Sequence, residues 1–320
     1  MKKKIYLIAP RGFCAGVTRA VDTVTLAIEK YGAPVYVKHE IVHNKHVIDD
    51  LEQKGAIFIE DLNDVPINRP IIFSAHGVSK KIINEASQKK GITIDATCPL
   101  VTKVHIQALK FYNRGYQLVL IGHKNHPEVE GTMGQVPEGA IILVEDINDV
   151  DRLKINNNKI AYITQTTLSV DDTIKIIEKL KTKFPYIECS PKEDICYATT
   201  NRQNAVKKFA SICDAFIIVG SSNSSNSNRL VEVAKNSGCF KSDLIEDSTK
   251  LNVNDYKNFN SIGVSSGASV PDILVMDVIK KLKSNHEYDL EEKTLEDENV
   301  SFRIPSCLLY TSDAADEPMR

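Results

Sequence analysis

Short runs of isoleucine, valine and leucine recur along the chain, and a segment with a helical pattern follows most of them. Nine of these runs are candidate strands, at 5–9, 34–39, 56–60, 70–75, 117–122, 140–145, 159–164, 214–220 and 260–266. The runs rarely alternate with polar residues, which favours parallel strands that helices cover on both faces. The pattern therefore predicts an α/β fold with parallel sheets.

Many of the candidate strands run directly into loops of Gly, Ser, Thr, Asn or His, and a predicted helix follows each loop. Such junctions lie at 10–17, 74–79, 95–102, 121–132, 164–169, 219–229 and 265–272. Ligands of parallel α/β sheets bind outside the carboxyl ends of the strands, where helix N-termini face them. One small sheet does not comfortably supply so many junctions around one site. We therefore predict several sub-domains that direct their strand ends toward a shared centre.

Charge and hydropathy exclude several classes of protein. The chain has 320 residues and a formal net charge of −2, which gives no electrostatic reason to expect nucleic acid or an anionic membrane as a partner. No apolar run approaches the roughly 20 residues that span a bilayer. The basic start MKKKIYLIAP has too short an apolar run for a signal peptide and is interpreted as the first strand. We therefore expect a cytoplasmic protein.

Three of the seven cysteines stand apart from the others. Cys14, Cys98 and Cys196 lie in the loops RGFCAGV, DATCPLVT and DICYATTNR, at predicted helix starts. A helix N-terminus lowers the pKa of a thiol and favours the thiolate, the form that binds metals. The odd number of cysteines and their irregular spacing argue against a disulfide framework. Because no C-x-x-C motif is present, buried thiols without a metal remain the alternative.

Three thiolates would have a chemical consequence. A 4Fe–4S cluster normally takes four cysteine ligands, so three ligands leave one iron open to water or substrate, as a catalytic zinc keeps an open position. The remaining cysteines lie in apolar or helical segments or precede a proline, and we interpret Cys189, Cys213 and Cys239 as thiols without a metal.

Histidine, serine and asparagine residues concentrate in the same kind of loop. The histidines are His43, His76, His105, His123 and His126. Imidazole, hydroxyl and amide groups donate hydrogen bonds to phosphate, and helix N-termini do so as well. The run SSNSSNSNR directly follows a candidate strand and precedes a predicted helix, which favours a binding loop over the alternative of a flexible linker. No Walker A or G-x-G-x-x-G pattern indicates a nucleotide.

The segment HPEVEGT offers a carboxyl group near these histidines. Glu128 and Glu130 lie at a predicted helix start, and a carboxyl group in a confined site donates protons when its pKa is raised. A zinc hydrolase is disfavoured, because the segment lacks H-E-x-x-H and Pro127 interrupts the spacing.

Taken together, the motifs resemble those of one enzyme family. RGFCAGV, VHNKHV, FSAHGVS, DATCPLVTKVH, HPEVEGTMGQ, TQTTLSVDDT, DICYATTNRQ, GSSNSSNSNRL and GASVPDILV occur in this order. They resemble the motifs of the 4-hydroxy-3-methylbut-2-enyl diphosphate reductases of the methylerythritol phosphate pathway, from about Ile5 to Pro305.

The resemblance implies a role for each motif residue. It implies one 4Fe–4S cluster with three cysteine ligands and one open iron, the ligands being Cys14, Cys98 and Cys196. The residues implied to bind the substrate diphosphate are His43, His76, His126, Ser224, Ser225, Asn226 and Ser269. Glu128 would deliver protons, and Thr166 would orient the substrate hydroxyl.

The same resemblance implies a fold and a reaction. The fold would be three small parallel-sheet α/β sub-domains in a pseudo-threefold clover around a central cavity. The reaction would be the two-electron reductive dehydroxylation of (E)-4-hydroxy-3-methylbut-2-enyl diphosphate to isopentenyl and dimethylallyl diphosphate, with a ferredoxin or flavodoxin as electron donor. A non-enzymatic iron–sulfur sensor on the same scaffold is the alternative.

Sub-domain boundaries are predicted beside the second and third cysteine loops. The sub-domains would span 1–97, 98–195 and 196–284, followed by an acidic, extended tail at 285–320. The ending SCLLYTSDAADEPMR has no counterpart in the family, and YTSDAADE resembles translated sequencing-adapter read-through. We therefore predict that the residues from about 306 onward, including Cys307, are not native.

Overall fold

The computed structural model describes residues 3–309, except for the side chain of Asn285. The strands are β1 (Lys3–Ala9), β2 (Val35–Lys38), β3 (Ala56–Ile59), β4 (Ile71–Phe73), β5 (Thr93–Asp95), β6 (Gln117–Ile121), β7 (Ile141–Val144), β8 (Ile160–Thr164), β9 (Glu188–Cys189), β10 (Ala215–Val219), β11 (Lys241–Ile245), β12 (Ser261–Ser266) and β13 (Tyr288–Thr294).

The helices alternate with these strands. They are α1 (Ala15–Tyr31), α2 (Lys45–Lys54), α3 (Lys80–Gln88), α4 (Pro99–Asn113), α5 (Pro127–Met133), α6 (Ile147–Arg152), α7 (Val170–Lys183), α8 (Tyr197–Ala210), α9 (Ser225–Asn236), α10 (Asp272–Asn285) and α11 (Ser306–Leu309). Short 3-10 turns occur at Leu62–Asp64, Ser248–Lys250 and Val253–Tyr256. Within the described part of the chain, no helix is both long enough and apolar enough to span a bilayer.

The strands form three separate sheets. The first sheet has the order β3-β2-β4-β5, the second β7-β6-β8-β9, and the third β11-β10-β12-β1-β13. Every strand pairing within residues 3–309 is parallel. This arrangement confirms the predicted α/β fold of three small parallel sheets.

Both faces of the central strands are buried, as the near-continuous apolar runs predicted. Along β10, Ile217 packs into one apolar cluster, whereas Phe216 and Ile218 pack into another. In β6, Leu118 and Val119 likewise lie in two different clusters. Successive side chains of a strand point to opposite faces of the sheet, so each of these strands is covered by helices on both sides.

All nine predicted strands are present, but four further strands were missed. These are β5, β9, β11 and β13, and each lies at the edge of its sheet. An edge strand is commonly short or polar, because one side is open to solvent and charged residues there prevent pairing with other chains. Strand β13 has the polar, charged sequence YDLEEKT. For this reason the sequence predicted an extended tail instead of a strand.

The strand pairing places two segments of the predicted first sub-domain and tail in the third sheet. Strand β1 pairs with β12 and β13, so it belongs to the third sheet, although the first predicted sub-domain contains its sequence. The predicted tail at 285–320 begins with β13, which pairs with β1 from Tyr288 to Thr294. The boundaries near residues 97 and 195 stay a prediction.

Part of the predicted non-native ending contacts the fold. Helix α11 places Leu308 in the apolar cluster that also contains Val17 of α1, and Lys30 Nζ donates to the Cys307 carbonyl at 2.9 Å. Residues 310–320, on which the rest of that prediction falls, lie outside the described residues.

Candidate active site

One cavity of about 100 Å³ is lined by loops that follow strands of all three sheets. The cavity brings together every site residue predicted from the motifs, namely Cys14, His43, His76, Cys98, His126, Glu128, Thr166, Cys196, Ser224, Ser225, Asn226 and Ser269. These residues are separated by up to about 250 positions in the sequence, since the first is Cys14 and the last is Ser269. They meet because the carboxyl ends of parallel strands direct their loops to one side of each sheet.

The three cysteine loops are held in the same way. Each cysteine N–H donates to a carbonyl in the loop that follows the neighbouring strand: Cys14 to Ala268 at 3.1 Å, Cys98 to Ala75 at 3.0 Å and Cys196 to Thr166 at 3.0 Å. The strand pairs concerned are β1 with β12, β4 with β5, and β8 with β9. Each sheet therefore contributes one cysteine and, on the adjacent loop, residues of the same cavity.

Each of these cysteines is the N-cap residue of a helix. Cys14 precedes α1, Cys98 precedes α4 and Cys196 precedes α8. Backbone N–H groups of the first helical turn interact with two of the thiols: those of Leu100 and Val101 with Cys98, and that of Thr199 with Cys196. A Cβ atom at Gly16 would lie 2.6 Å from the Cys98 Sγ and 3.8 Å from the Cys14 Sγ, so glycine at this position allows the two cysteines to approach.

In the metal-free protein, burial outweighs the predicted effect of the helix N-termini on two of the thiols. Burial raises the pKa of the Cys98 thiol to about 12 and that of the Cys196 thiol to about 11, and the neighbouring thiols add to the rise. Loss of hydration on burial outweighs the field of the helix ends. A bound metal would reverse this balance, because metal ligation displaces the thiol proton.

Three thiols around one cavity suit a metal cluster, although the described residues contain no group of three His, Cys, Asp or Glu side chains close enough to hold a single ion. In a cluster, each cysteine binds a different iron, so the thiols need not converge on one point. The donor set therefore fits an iron–sulfur cluster. The buried Cys213 and Cys239 lie in the core of the third sheet, which agrees with their interpretation as thiols without a metal.

Three histidines form one side of the cavity. The rings of His43 and His76 stack with their centroids 4.2 Å apart, and His126 lies edge-on to both at 5.5 and 5.7 Å. Burial and the neighbouring imidazoles lower the pKa of His126 to about 3 and the pKa of His76 well below its usual value. These two imidazoles are therefore neutral when the cavity is empty.

The His126 ring is oriented by the helix that follows it. His126 is the N-cap residue of α5, and its Nδ1 accepts a hydrogen bond from the Glu128 N–H at 3.1 Å. In the neutral ring the proton must then be on Nε2, which is left as a donor. The other two histidines of the GHKNHPE and VTKVH motifs lie elsewhere: His123 is outside the cavity, and His105 packs beneath Gly77.

Glu128 is a buried carboxyl group with two partners. Its Oε1 accepts the Thr166 N–H at 2.6 Å, and its Oε2 pairs with the Thr166 hydroxyl at 2.9 Å. Burial raises its pKa to about 7 against the opposing effect of these hydrogen bonds. Glu130, two positions on, is exposed, as the helical spacing predicted.

The Ser/Asn-rich run is an ordered strand–loop–helix junction, so the alternative of a flexible linker is wrong. Ser224 is the N-cap residue of α9, and its Oγ accepts the Ser227 N–H at 3.3 Å. Asn226 Oδ1 accepts the Ala268 N–H at 3.0 Å, and Ser225 donates to the Thr167 carbonyl at 2.8 Å. These bonds join the loop to neighbouring loops of the second and third sheets.

Two residues that were not predicted contact the predicted set through their side chains. Thr199 lies one turn into α8, and its hydroxyl is 3.2 Å from the Cys196 Sγ. Glu40 follows β2, and its carboxylate pairs with His43 Nδ1 at 3.1 Å. In each pair, Cys196 with Thr199 and Glu40 with His43, the two residues are three positions apart in the sequence. This spacing allows a side-chain contact, but it is too common to predict one.

A larger cavity borders the Cys14 loop. It measures about 670 Å³ and is lined by charged residues that include Arg11, Arg19, Glu292 and Glu298. It contains none of the thiols or imidazoles described above, so its size does not make it the reactive site.

The chain is similar to known proteins over nearly its full length. The model of the family described as "LytB protein" matches residues 5–283. A Roseobacter denitrificans protein named 4-hydroxy-3-methylbut-2-enyl diphosphate reductase is 51% identical over 307 residues, 95% of this chain and 96% of the relative. A Beijerinckia indica protein of the same name is 52% identical over 306 residues, with the same coverage of both chains.

Solved structures show the same fold. The E-1-hydroxy-2-methyl-but-2-enyl-4-diphosphate reductase from Plasmodium falciparum is 44% identical and superimposes with a TM-score of 0.92, over 97% of this chain and 98% of that one. A second structure, of (E)-4-hydroxy-3-methyl-but-2-enyl diphosphate reductase, is 29% identical with a TM-score of 0.64, over 88% and 99% of the two chains. The chain belongs to the LytB protein family.

Proposed function

We propose that this chain is the reductase that converts (E)-4-hydroxy-3-methylbut-2-enyl diphosphate into isopentenyl and dimethylallyl diphosphate. Relatives about half identical over nearly the full chain carry the name of this enzyme. The observation that carries the proposal is that three thiols, three imidazoles and the Glu128–Thr166 pair line one cavity. The reaction requires cysteines that hold an electron-transferring cluster, groups that bind the diphosphate, and a proton donor. All three must lie in one site.

Cys14, Cys98 and Cys196 would hold one 4Fe–4S cluster with three cysteine ligands. When bound, such a cluster supplies electrons and, at an iron without a cysteine ligand, an open coordination position. Because the three loops are hydrogen-bonded to neighbouring loops of their sheets, the cysteines are held without relying on the metal. The two electrons would come from a ferredoxin or flavodoxin.

The diphosphate would bind at the histidines and the Ser/Asn-rich loop. His43, His76 and His126 offer ring N–H groups, and the N-terminus of α9 adds a positive dipole end. The hydroxyl and amide groups that complete this set are those of Ser224, Ser225, Asn226 and Ser269. An anion held here fixes one end of the substrate, so that its reacting end is oriented inside the cavity.

Glu128 would supply protons, and Thr166 would orient the substrate hydroxyl. The reaction consumes two electrons and two protons: the C–O bond breaks, the oxygen leaves as water, and a C–H bond forms. With a pKa near 7, Glu128 holds a proton in a large fraction of molecules at neutral pH. Protonation at one of two allylic carbons decides which isomer is formed.

The test is turnover by anaerobically purified protein. We expect that protein containing iron and sulfide converts the allylic diphosphate into both isomers when an electron donor is supplied. The alternative of an iron–sulfur sensor predicts the same iron and sulfide content without turnover, and this outcome would overturn the proposed function.

Cysteine variants test the ligand set. Cys14→Ser, Cys98→Ser and Cys196→Ser should each lower iron and sulfide content and abolish turnover, because serine is a poor ligand for iron in such a cluster. Cys213→Ser and Cys239→Ser are matched controls in the third-sheet core, and they should keep the iron. A variant among the first three with full iron content would remove that residue from the ligand set.

A further inference from the structure

Glu40 lies beside the proposed diphosphate pocket without lining the cavity itself. It follows β2, and its Oε2 accepts two hydrogen bonds, from His43 Nδ1 at 3.1 Å and from Asn223 Nδ2 at 3.0 Å. The first partner follows the same strand, whereas Asn223 belongs to the loop between β10 and α9 of the third sheet. One carboxylate oxygen therefore joins loops of two sheets.

A carboxylate at this position needs a physical reason. The hydrogen bond from His43 is the main cause that lowers the Glu40 pKa below its usual value, so the group is ionised at neutral pH. An ionised carboxylate a few ångströms from a bound diphosphate would repel it. A carboxylate at this position favours anion binding only if its effect on a neighbouring anion-binding residue outweighs its own repulsion of the diphosphate.

His43 is the partner through which such a contribution can act. Its ring lines the cavity and stacks on His76 with centroids 4.2 Å apart. Because Nδ1 is engaged by Glu40, Nε2 is the ring nitrogen that remains for the cavity. The His43 carbonyl also accepts a hydrogen bond from the Ser269 hydroxyl at 3.1 Å, so the backbone and the ring of His43 are both fixed.

We propose that Glu40 is a positioning residue that holds the His43 ring with Nε2 directed to the diphosphate and stabilises the positive charge of that ring when the anion is bound. The proposal rests on the proposed function, since it assigns His43 to the diphosphate. A histidine between a carboxylate and an anion keeps a proton on both nitrogens, because each proton is donated to a negative group. Glu40 itself touches neither the substrate nor the thiols.

A neighbouring pair provides a matched control. Glu60 lies 2.6 Å from His39 Nδ1 and 3.4 Å from Lys38 Nζ, so it forms a second carboxylate–histidine pair beyond the same strand. Glu60 is 75% exposed, and neither it nor His39 lines the cavity. Glu60→Gln therefore removes the same charge from the same region without changing a histidine of the site.

The experiment compares Glu40→Gln, Glu60→Gln and Asn223→Ala as anaerobically purified, cluster-loaded enzymes. Iron content, kcat, KM for the allylic diphosphate and the dissociation constant for inorganic pyrophosphate are measured for each. We expect Glu40→Gln to raise KM and the pyrophosphate dissociation constant about tenfold, the cost of a lost charge-assisted hydrogen bond. Its iron content should be unchanged, and its kcat should change little, because uniform anion binding affects KM rather than kcat.

The controls distinguish the proposal from simpler effects. Glu60→Gln should leave all four quantities unchanged. Asn223→Ala should raise KM by no more than about twofold, since Asn223 is exposed and carries no charge, so water can replace it as the donor to Glu40. Unchanged pyrophosphate binding by Glu40→Gln would show that Glu40 does not support anion binding, and tighter binding would show that it only repels the anion. Either result would overturn the proposal. If Asn223→Ala weakened pyrophosphate binding as much as Glu40→Gln does, the proposal would also be overturned. The cause would then be the contact between the two loops and not the orientation of the His43 ring.

Failure of the positioning role and failure of the proposed function give different results. If the unsubstituted enzyme binds pyrophosphate and turns over while Glu40→Gln matches it, only the role of Glu40 is wrong. If the unsubstituted, cluster-loaded enzyme neither binds pyrophosphate nor turns over, the proposed function itself fails.

Discussion

The Glu128 side chain is 2% exposed, and its burial raises the pKa of the carboxyl group to about 7. A carboxyl group on an exposed helix would be ionised at neutral pH. The same burial keeps His126 and His76 neutral, because the charged form of each group is the one that loses hydration. His76 and His126 are therefore uncharged in the empty protein, and the Glu128 carboxyl group is protonated in a large fraction of molecules at neutral pH.

Glu128→Gln should retain the cluster and pyrophosphate binding but lose most turnover. Glutamine keeps the size of the side chain and can still pair with Thr166, but it cannot transfer a proton. General acid–base catalysis typically contributes about 10²–10⁴-fold, so a loss of this order is expected in kcat at constant iron content. Glu130→Gln is the control, because Glu130 is exposed. Near-normal turnover by Glu128→Gln would rule out the proton donor.

Binding of pyrophosphate should be coupled to proton uptake. An anion beside His76 favours its charged form and raises a pKa that is depressed in the empty cavity. The complex therefore binds more protons than the free protein, and affinity should rise as the pH is lowered from 8 toward 6. Calorimetry in buffers with different ionisation enthalpies measures the number of protons. Affinity independent of pH, after correction for the titration of pyrophosphate itself, would contradict this expectation.

At the scale of elements, a buried arginine connects three segments around the Cys14 loop. Arg202 of α8 is fully buried, and its guanidinium donates to the Gly12 carbonyl at 2.9 Å and to Glu298 at 2.9 Å. Gly12 lies two residues before Cys14, and Glu298 lies beyond β13. Arg19 of α1 makes a similar connection: it donates to the carbonyls of Thr97, beside Cys98, and Arg303.

Glu298→Gln should destabilise the protein and loosen the Cys14 loop. Removing one partner of a buried ion pair typically costs about 3–5 kcal/mol, because the remaining charge is left unpaired. We expect a clearly lower unfolding midpoint in urea and faster loss of iron to a chelator. The matched control is Asp171→Asn, which breaks the exposed pair between Asp171 and Lys207, also on α8, and should cost about 1 kcal/mol or less. Equal effects of the two substitutions would show that Arg202 does not hold these segments together.

At the scale of the whole molecule, three sheets are held together by their shared loops and by a C-terminal segment that crosses between them. Strand β13 pairs with β1 along its whole length, and the residues after it reach α8 through Glu298 and α1 through Arg303. Helix α11 then packs Leu308 against the cluster beneath α1. The chain therefore passes from the third sheet back toward the first before its described part ends.

Two truncations test which part of this C-terminal segment is required for folding and for activity. A chain ending at Pro305 should keep its iron content and turnover and lose about 1.5–3 kcal/mol of stability, the value of burying one leucine side chain. A chain ending at His286 lacks β13 and Glu298, exposes the edge of β1, and should not accumulate as folded protein. Soluble expression, iron content and urea unfolding measure both effects. Loss of turnover in the longer truncation would show that the ending from 306 onward takes part in the site.

The sequence by itself determined the elements whose signal is local. The nine apolar runs all form strands, and most of these strands are buried on both faces, where near-continuous apolar sequence is typical. The loops that carry Cys14, Cys98 and Cys196 were also recognisable, since each follows a strand and begins a helix. These features depend on hydrophobic burial and helix capping over a few neighbouring residues.

The tertiary structure alone decided what depends on distant neighbours. The edge strands β5, β9, β11 and β13 carry little apolar signal, so their pairing follows from the sheets beside them. Glu40 is an ordinary surface carboxylate by sequence, and only the fold shows that one of its oxygens contacts both His43 and Asn223, which comes from another sheet. Likewise the helix N-termini predicted acidic thiols, but burial raises the pKa values of Cys98 and Cys196 instead, because hydration is set by the packing of all three sheets around the cavity.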